Sequence, residues 1–441
     1  MPPSELAARI VAALRARGHQ AWLVGGCVRD LLLGRDAQDF DVATGARPDE
    51  ILELFPKADR VGAHFGVVLV RQDGAQVEVA TFRSDFAYTD GRRPDSVRFE
   101  ADPAQDARRR DFTVNALFMD PFSGAVLDFA GGREDLARGI IRAIGDPEAR
   151  FREDHLRLLR AVRFAARLGF EIEPGTLQAI RQARAEIHTV AAERVRDELN
   201  RILTEGGARR GFELLDETGL LTEILPEVAA MKGVAQPPEF HPEGDVWTHT
   251  LMLLKGLEQP AVTLAWGALL HDVGKPPAFR VAGRIRFDGH VEAGVAIARR
   301  ILTRLRFSKD EYEQIVALVA NHMRFKDAAA MRASTLKRFL RLPRFDEHLE
   351  LHRLDCRASN GCLETYDFVR RKLAEFPAEQ IKPAPLVTGR DLIAAGYAPG
   401  PLFAGILASV EDAQLEGAVG NREEALEFVR RRFGDPTRAC S

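Results

Sequence analysis

Apolar and polar residues change their spacing along the chain. Residues 4–17 carry apolar positions three or four apart, which predicts an amphipathic helix. Residues 21–140 instead contain short apolar runs separated by glycine, which predicts strands joined by tight turns. From 153–170 onward a helical spacing continues almost to the end of the chain. We therefore predict an α+β protein with a small mixed or antiparallel sheet at its N-terminus, followed by all-α regions.

Prolines indicate where these regions divide. Several precede a histidine-rich helical segment, and residues 376–390 form a second proline-bearing connector. The first set is Pro226, Pro237, Pro238 and Pro242. A chain of 441 residues is also too long for one ordinary core. The predicted regions are a sheet-containing domain and three helical ones, at residues 1–140, 141–235, 236–360 and 361–441.

Composition and charge narrow the possible classes. The chain is 46% hydrophobic and 29% charged, as in ordinary globular proteins, and its net charge of −3 means that any nucleic-acid binding needs a local basic surface. It has no secretory start and no apolar run long enough to cross a bilayer, so we expect a cytoplasmic protein with no membrane partner. The four cysteines contain no CxxC pair, which argues against disulfides and a zinc knuckle.

The stretch LVGGCVRDLLLGRDAQDFDVAT, residues 23–44, places two glycines and two aspartates close together. An apolar strand runs into Gly25 and Gly26, and a short helix follows. Residues two apart on a strand face the same side, so Asp39 and Asp41 should point together. Such carboxylates repel unless a cation lies between them, and Mg²⁺ prefers oxygen ligands shared with substrate phosphates. Glycines let backbone N–H groups approach a phosphate, so these residues predict a site for Mg²⁺ and a nucleotide. An ordinary strand end with solvated aspartates is the alternative interpretation.

A predicted hairpin contains a further carboxylate that could belong to the metal site. Two apolar runs, 65–70 and 75–82, flank Asp73 and Gly74, which is a hairpin signal. Glu78 lies on the second run. It is either a third carboxylate facing the metal site or a solvent-facing residue of an alternating strand.

An arginine cluster follows in RRRDFTVNALFMD, residues 108–120. A guanidinium meets triphosphate oxygens bidentately, so arginines beside a metal site suit a nucleoside triphosphate. A solvated charge run at the end of a strand is the alternative interpretation.

A second charged cluster, around Asp154 and Arg157, suits a nucleobase. The two are predicted three residues apart on one helix, where they are surface neighbours. A carboxylate only accepts hydrogen bonds and a guanidinium only donates them. The pair therefore matches the amino group and ring nitrogen shared by adenine and cytosine, and mismatches guanine and uracil. A plain salt bridge is the alternative. Arg160 and Arg163 continue the spacing, although Arg163 falls nearly opposite Asp154 on an ideal helix.

Four blocks in this order resemble the class II tRNA nucleotidyltransferase and bacterial poly(A) polymerase family over about residues 20–225. The blocks are LVGGCVRDLLLG…DFDVAT, VEVATFRSD, RRRDFTVNALFMD and EDHLRLLRAVRFAARLGF. His155 stands where this family more often has proline, which should alter the start of the helix rather than the base readout. The resemblance makes residues 1–140 a nucleotidyltransferase head and 141–235 a helical neck and body.

The resemblance also implies roles for individual residues. The catalytic pair that holds Mg²⁺ would be Asp39 and Asp41. The nucleotide would be contacted by Gly26, Arg29 and Arg110, and its base edge by Asp154 and Arg157, with Arg160 and Arg163 nearby. The implied chemistry is attack of an RNA 3′-hydroxyl on the α-phosphate of ATP or CTP, with release of pyrophosphate.

A separate set of histidines and aspartates lies in the helical segment 241–355. Adjacent His and Asp in an apolar helix are costly to bury unless they have partners, and a metal would serve, although isolated histidines are usually ordinary polar residues. The ordered set is His249, His271, Asp272, His290, His322 and Asp355. It resembles the HD-superfamily metal phosphohydrolases, which implies a transition-metal ion (Ni, Mn, Fe or Co) and hydrolysis of phosphomonoesters or 2′,3′-cyclic phosphates.

The sequence thus predicts template-independent addition of CCA, or part of it, to the 3′ end of tRNA from CTP and ATP. Full CCA, A-only and CC-only addition share every motif. A poly(A) polymerase should have a longer basic extension, whereas residues 408–441 mix both signs. An HD phosphohydrolase with a front half that only binds RNA would not need the paired aspartates. The stretch 387–407 either turns glycine-rich backbone toward RNA phosphates or merely connects helices.

Overall fold

The computed structural model describes residues 1–60, 66–86, 96–239 and 241–434. Two compact units divide the chain: Met1–Ala230 with Leu257–Pro260 and Ile301–Phe307, and Met231–Gly256 with Ala261–Arg300 and Ser308–Ser441. The four regions expected from the sequence are a finer division and stay a prediction. Residue 65, which begins one predicted strand, and Cys440 lie outside the described residues. No helix of the described residues combines the length and the apolar character that crossing a membrane requires.

The first unit is built on a seven-stranded sheet with the order β3-β4-β5-β2-β1-β8-β9. Two further pairs, β6 with β7 and β10 with β11, lie outside that sheet. The strands of this unit are β1 Ala21–Val24, β2 Asp41–Thr44, β3 Asp59–Arg60, β4 Val67–Gln72, β5 Ala75–Thr81, β6 Arg83–Phe86, β7 Ser96–Phe99, β8 Leu117–Met119, β9 Val126–Asp128, β10 Ile140–Ile141 and β11 Glu171–Ile172.

Both predictions about the sheet are confirmed. Strands β2 and β5 pair in parallel, with Asp41 opposite Glu78, while the other pairs of the sheet are antiparallel, so the sheet is mixed. The hairpin β4–β5 turns through Asp73 (φ 48°) and Gly74 (φ 80°). Two successive positive φ angles are what a two-residue hairpin loop needs.

Helices surround this sheet and continue beyond it in the first unit. The first packs on β1 with Leu6, Ile10 and Leu14 completely buried, which confirms the amphipathic helix predicted at the N-terminus. The helices are α1 Pro3–Ala16, α2 Gly26–Leu32, α3 Pro48–Leu54, α4 Pro103–Arg108, α5 Gly132–Arg138, α6 Pro147–Glu153, α7 Arg157–Leu168, α8 Pro174–Ala183, α9 Ala192–Thr204, α10 Ala208–Glu217, α11 Leu220–Ile224 and α12 Pro226–Ala229.

The second unit is almost entirely helical, as predicted, apart from one small hairpin of β12 Arg280–Ala282 and β13 Arg284–Arg286. Residues 387–407 cover one helix, a loop and the start of another, and bury Val387, Leu392 and Ile406 in a core of their own. The helices are α13 Val246–Lys255, α14 Val262–Leu270, α15 Lys275–Ala278, α16 His290–Arg304, α17 Lys309–Asn321, α18 Ala333–Leu340, α19 Phe345–Ala358, α20 Glu364–Glu375, α21 Ala378–Ile381, α22 Gly389–Ala394, α23 Leu402–Leu415 and α24 Arg422–Phe433.

Candidate nucleotide site and metal centre

A strand, a glycine turn and a short helix form the frame of the first candidate site. Strand β1 ends at Val24, and α2 begins at Gly26, as the sequence predicted. Between them Gly25 has φ 79°, a backbone conformation that residues other than glycine rarely adopt. A Cβ there would lie 3.4 Å from Arg110 Nη1 and 3.8 Å from Asp41 Oδ2. Glycine at position 25 therefore allows this turn and leaves the backbone accessible beside the Arg110 and Asp41 side chains.

A cavity of about 290 Å³ opens beside this turn. It gathers six of the residues assigned to nucleotide or magnesium binding from the sequence. These are Gly26, Arg29, Asp39, Asp41, Arg110 and Arg160. The other wall residues include Asp111, Asn115 and Phe164, which the sequence analysis did not assign. The signal for Asp111 and Asn115 was present in the RRRDFTVN block, where the two are spaced four apart.

Carboxylates crowd one wall of this cavity. Asp39 is exposed and precedes β2, whereas Asp41 is half-buried at the start of that strand. Burial, together with the charges of Glu78 and Asp39, raises the pKa of Asp41 to about 6, while Arg110 acts in the opposite direction. Within the described residues neither aspartate has an ion-pair partner. Both carboxylates are therefore free to accept a cation shared with phosphate oxygens.

Arginine side chains that line the same cavity belong to a connected network. Arg29 is buried and donates to Asp30 Oδ1 at 2.8 Å and to Asn115 Oδ1 at 2.7 Å. Asn115 in turn donates to Asp111, and Arg160 donates to the other oxygen of Asp111 at 2.6 and 2.8 Å. Although burial opposes its ionisation, the Arg160 charge and these hydrogen bonds hold the pKa of Asp111 well below its usual value. The network fixes two guanidinium groups beside a space that suits an anion.

The base-reading pair is arranged differently from the prediction. Asp154 and Arg157 do not share a helix, because α6 ends at Glu153 and α7 begins at Arg157. Asp154 is extended (φ −151°, ψ 106°), and its side chain accepts from the backbone N–H of Leu156 at 3.1 Å. A local side-chain bond of this kind competes with helix continuation, which explains the break. The prediction of one continuous helix over these residues is therefore wrong.

Each member of the pair also has another partner. Asp154 accepts two hydrogen bonds from Arg194, at 2.8 and 3.2 Å, which the sequence analysis missed. Arg157 Nη1 lies 2.5 Å from Glu153 Oε2, and its Nη2 donates to the Arg109 carbonyl oxygen at 3.3 Å. Neither residue lines the 290 Å³ cavity. The plain Asp154–Arg157 salt bridge, the alternative interpretation, is absent from the ion pairs of the described residues.

Arg163 plays a packing part in this structure. It is 4% exposed, donates to Glu198 at 2.7 Å, and lies 4.3 Å from the centre of the Phe164 ring. It does not line the cavity.

The second unit brings six side chains into one buried cluster. They are His249, His271, Asp272, His290, His322 and Asp355, and we call them the histidine–aspartate cluster. Two groups of three could each hold a metal, since their ligand atoms lie within 4.8 Å of one another: His249 with His271 and Asp355, and Asp272 with His290 and His322. Asp272 Oδ2 lies 3.2 Å from His271 Nε2, which places this carboxylate between the two groups.

The imidazole rings of this cluster are oriented for metal binding. Nδ1 of His271, His290 and His322 lies 2.9, 2.8 and 2.7 Å from a backbone carbonyl three residues earlier. Each Nδ1 therefore carries the proton, and Nε2 presents its lone pair to the cluster. Within the described residues the buried Nε2 atoms of His290 and His322 have no hydrogen-bond partner. A divalent ion fits these donors, because it would occupy lone pairs that are otherwise unsatisfied.

Three residues around the cluster were missed from the sequence. Glu243 Oε1 lies 2.6 Å from His249 Nδ1 and 2.9 Å from His241 Nδ1. Lys275 Nζ lies 2.6 Å from Asp272 Oδ2. Their signal was position alone: His241 and Glu243 immediately precede α13, and Lys275 follows Asp272 by three residues.

A close backbone contact sets the position of His290. A Cβ on Gly274 would lie 2.0 Å from the His290 carbonyl oxygen, so only glycine allows the start of α16 to approach this turn. The resulting contact brings His290 to within 3.9 Å of Asp272.

Comparisons with known proteins now place the chain. Three family models match it: the "Poly A polymerase head domain" at residues 21–142, the "Probable RNA and SrmB- binding site of polymerase A" at 169–232, and the "HD domain" at 245–356. The CCA-adding enzyme of Levilactobacillus brevis is 34% identical over 424 residues, which is 96% of both chains. The chain belongs to the CCA-adding enzyme family. The family predicted from the sequence motifs is thus confirmed.

Other CCA-adding enzymes match the chain over a shorter alignment or at a lower sequence identity. The Geobacillus stearothermophilus enzyme is 46% identical over 228 residues. This alignment covers 52% of the present chain and 56% of that relative, so the chain spans only about half the length of this relative. The crystal structure of the Bacillus stearothermophilus CCA-adding enzyme with CTP has a TM-score of 0.76 at 30% identity, covering 98% of this chain and 99% of that one. The Thermotoga maritima enzyme complexed with tRNA shares the fold, with a TM-score of 0.60 at 21% identity over 97% and 95%.

Proposed function

We propose that the protein adds C and A to the 3′ end of tRNA without a template, using CTP and ATP. The observation that carries this proposal is the cavity that Asp39 and Asp41 line together with Arg29, Arg110 and Arg160 beside the glycine turn. That arrangement suits a triphosphate with a divalent ion. Related structures support the partners, since one CCA-adding enzyme was crystallised in complex with CTP and another was complexed with tRNA.

The proposed reaction assigns a role to the aspartates, the arginines and the glycine turn of the cavity. The 3′-hydroxyl oxygen of tRNA forms a bond to the α-phosphorus, and the bond to the β-phosphate oxygen breaks to release pyrophosphate. Asp39 and Asp41 would hold Mg²⁺, which when bound lowers the cost of ionising the hydroxyl and of the leaving charge. Arg110 and Arg160 would neutralise the triphosphate oxygens. The glycine turn at Gly25–Gly26 lets the phosphates approach the backbone.

Base selection is proposed to depend on Asp154 and Arg157. The Arg194 fork holds the Asp154 carboxylate with two hydrogen bonds, yet a carboxylate has about four acceptor positions and can still receive a base amino group. Arg194 therefore serves as a positioning residue in this proposal.

Full CCA addition is favoured over the specialised activities. The relatives of high coverage are named CCA-adding enzymes, whereas none of the motifs separates CCA, CC-only, A-only and poly(A) addition. The test is to incubate the protein with tRNA transcripts ending before, within and after the CCA sequence, with each labelled nucleotide in turn. The expected products stop at CCA. Continued A addition would indicate a poly(A) polymerase instead.

We also infer a metal-dependent phosphohydrolase activity at the histidine–aspartate cluster. The inward Nε2 atoms of four histidines support it, and phosphomonoesters or 2′,3′-cyclic phosphates are the proposed substrates with Ni, Mn, Fe or Co as the ion. Asp272→Ala should abolish this hydrolysis and leave nucleotide addition largely unchanged. Absence of both metal binding and hydrolysis in the unaltered protein would make the cluster structural. The cytoplasmic location expected from the sequence stays a prediction.

A further inference from the structure

The small hairpin of the second unit is strongly basic. Between residues 273 and 287 the chain carries Lys275 and three arginines and no acidic residue. The arginines are Arg280, Arg284 and Arg286, all exposed. We call residues 280–286 the basic hairpin. None of its arginine side chains has a hydrogen-bond or ion-pair partner within the described residues, whereas most arginines of this protein are paired.

The strand register places these three charges on one face. Arg280 pairs with Arg286, and Ala282 pairs with Arg284 across the antiparallel ladder. Paired and alternate residues share a face of a hairpin, so Val281 and Ile285 occupy the other face. Like charges directly opposite one another oppose strand pairing unless an anion lies between them. The hairpin is therefore built in a way that favours a bound polyanion.

The base of the hairpin touches the histidine–aspartate cluster. Phe279 and Phe287 close the hairpin with their ring centres 6.0 Å apart. The Phe287 carbonyl oxygen accepts from His290 Nδ1 at 2.8 Å, and Lys275 Nζ lies 5.3 Å from the centre of the Phe287 ring. A strand advances about 3.3 Å per residue, so the arginines extend roughly 3–10 Å from this base. The arginines would therefore lie beside the first phosphates of a nucleic-acid strand whose end lies at the histidine–aspartate cluster.

We propose that the basic hairpin holds the phosphate backbone of a single-stranded RNA whose 3′ end is the substrate of the histidine–aspartate cluster. The substrate class is thus a polynucleotide with a terminal phosphate or 2′,3′-cyclic phosphate, rather than a free mononucleotide. In hydrolysis of the cyclic end, water adds to phosphorus and one ester bond breaks, which leaves a phosphomonoester and a free hydroxyl. The proposal rests on the phosphohydrolase activity inferred above.

The test compares two substrates with the full-length, metal-loaded protein. One is a five-nucleotide RNA ending in a 2′,3′-cyclic phosphate, and the other is the corresponding cyclic mononucleotide. The variant is Arg284→Gln with Arg286→Gln. The matched control, Arg370→Gln with Arg371→Gln, removes the same charge from exposed positions of α20. We expect the ratio of kcat/KM for RNA to that for the mononucleotide to fall about tenfold or more in the hairpin variant, and less than twofold in the control.

Salt dependence gives a second readout that a structural defect would not produce. Each phosphate contact with a single strand contributes about 0.7 to the slope of log affinity against log salt, so losing two contacts should reduce that slope for RNA by about 1.4. Equal ratios and equal slopes in both variants would overturn the hairpin proposal and leave the phosphohydrolase intact. No hydrolysis of either substrate with any of the four metals would overturn the phosphohydrolase, and this proposal with it.

Discussion

Asp41 and Glu78 lie directly opposite one another on parallel neighbouring strands. The sequence left Glu78 open between a third carboxylate and a solvent-facing residue. In the structure it is exposed, yet its charge is a main reason, after burial, for the raised pKa of Asp41. Glu78 therefore acts on the site electrostatically, whether or not it touches the ion.

This relationship predicts how magnesium use depends on pH. Asp41, with its pKa raised to about 6, is mostly protonated below that pH, and a proton there competes with Mg²⁺. In the unaltered protein the Mg²⁺ concentration for half-maximal addition should rise below about pH 6, by up to about tenfold per unit. Glu78→Gln removes a negative charge, so the rise should begin at lower pH. Glu134→Gln, at an exposed position of α5, is the control. Identical pH profiles for all three proteins would contradict this account.

Base discrimination should depend on Arg194 as well as on Asp154. Asp154→Ala should raise UTP and GTP incorporation relative to CTP and ATP about ten- to a hundredfold, since a base-edge hydrogen-bond pair is worth roughly 1–3 kcal/mol. Arg194→Ala should give a smaller change in the same direction, because Asp154 then loses the two hydrogen bonds that position it. Arg209→Ala, at a half-buried arginine of α10 that pairs with Glu213, is the control. Equal losses for all four nucleotides in Asp154→Ala would make its role structural.

Sequence periodicity and spacing were sufficient for the framework of this protein, except for the short helices α3, α4 and α5, which lie within residues 21–140 where strands and tight turns were predicted. The hairpin at Asp73–Gly74 followed from a two-residue turn signal, and the strand–glycine–helix frame followed from the residues themselves. The break at Asp154 could not be predicted in this way, because a side-chain bond to Leu156 N–H overrode the helical apolar spacing. Long-range partners were also out of reach. Arg194 is forty residues from Asp154, and only the packing of α9 brings them together.

Glu243 is predicted to position His249 for metal binding. A carboxylate that accepts from Nδ1 of a ligating histidine fixes the ring and raises its basicity, and losing such a partner costs about 10–100-fold in metal affinity. In an Asp41→Ala background, which removes the other metal site, Glu243→Ala should weaken Mn²⁺ binding by that factor. Glu243→Gln, which still accepts a hydrogen bond, should weaken it less. Titration calorimetry checks this, with Glu313→Ala, at an exposed position of α17, as control; wild-type affinity in Glu243→Ala would refute the positioning role.

Acid sensitivity of the second unit should arise partly from His348. This side chain is 1% exposed, and neither ring nitrogen has a hydrogen-bond partner within the described residues. Burial, with the Arg324 charge, lowers its pKa from 6.5 to about 4. Protonation of His348 therefore favours the unfolded chain. The free energy of unfolding keeps its full value above pH 6.5 and falls by up to about 3 kcal/mol as the pH approaches 4.

Replacing this histidine separates its effect from general acid unfolding. His348→Leu should lose less thermal stability between pH 7.5 and 5 than the unaltered protein. His188→Leu, at an exposed histidine, should behave like the unaltered protein. An unchanged pH dependence in His348→Leu would assign the acid sensitivity to other groups.

Asp39 and Asp41 are proposed to form the catalytic centre of nucleotide addition. The most direct measurement incubates tRNA lacking its 3′ CCA with labelled CTP and ATP, Mg²⁺, and either unaltered protein, Asp41→Ala or Glu134→Gln. The account predicts CCA addition by the unaltered and Glu134→Gln proteins and none by Asp41→Ala, with circular dichroism showing all three folded. Near-normal addition by a correctly folded Asp41→Ala protein would contradict it.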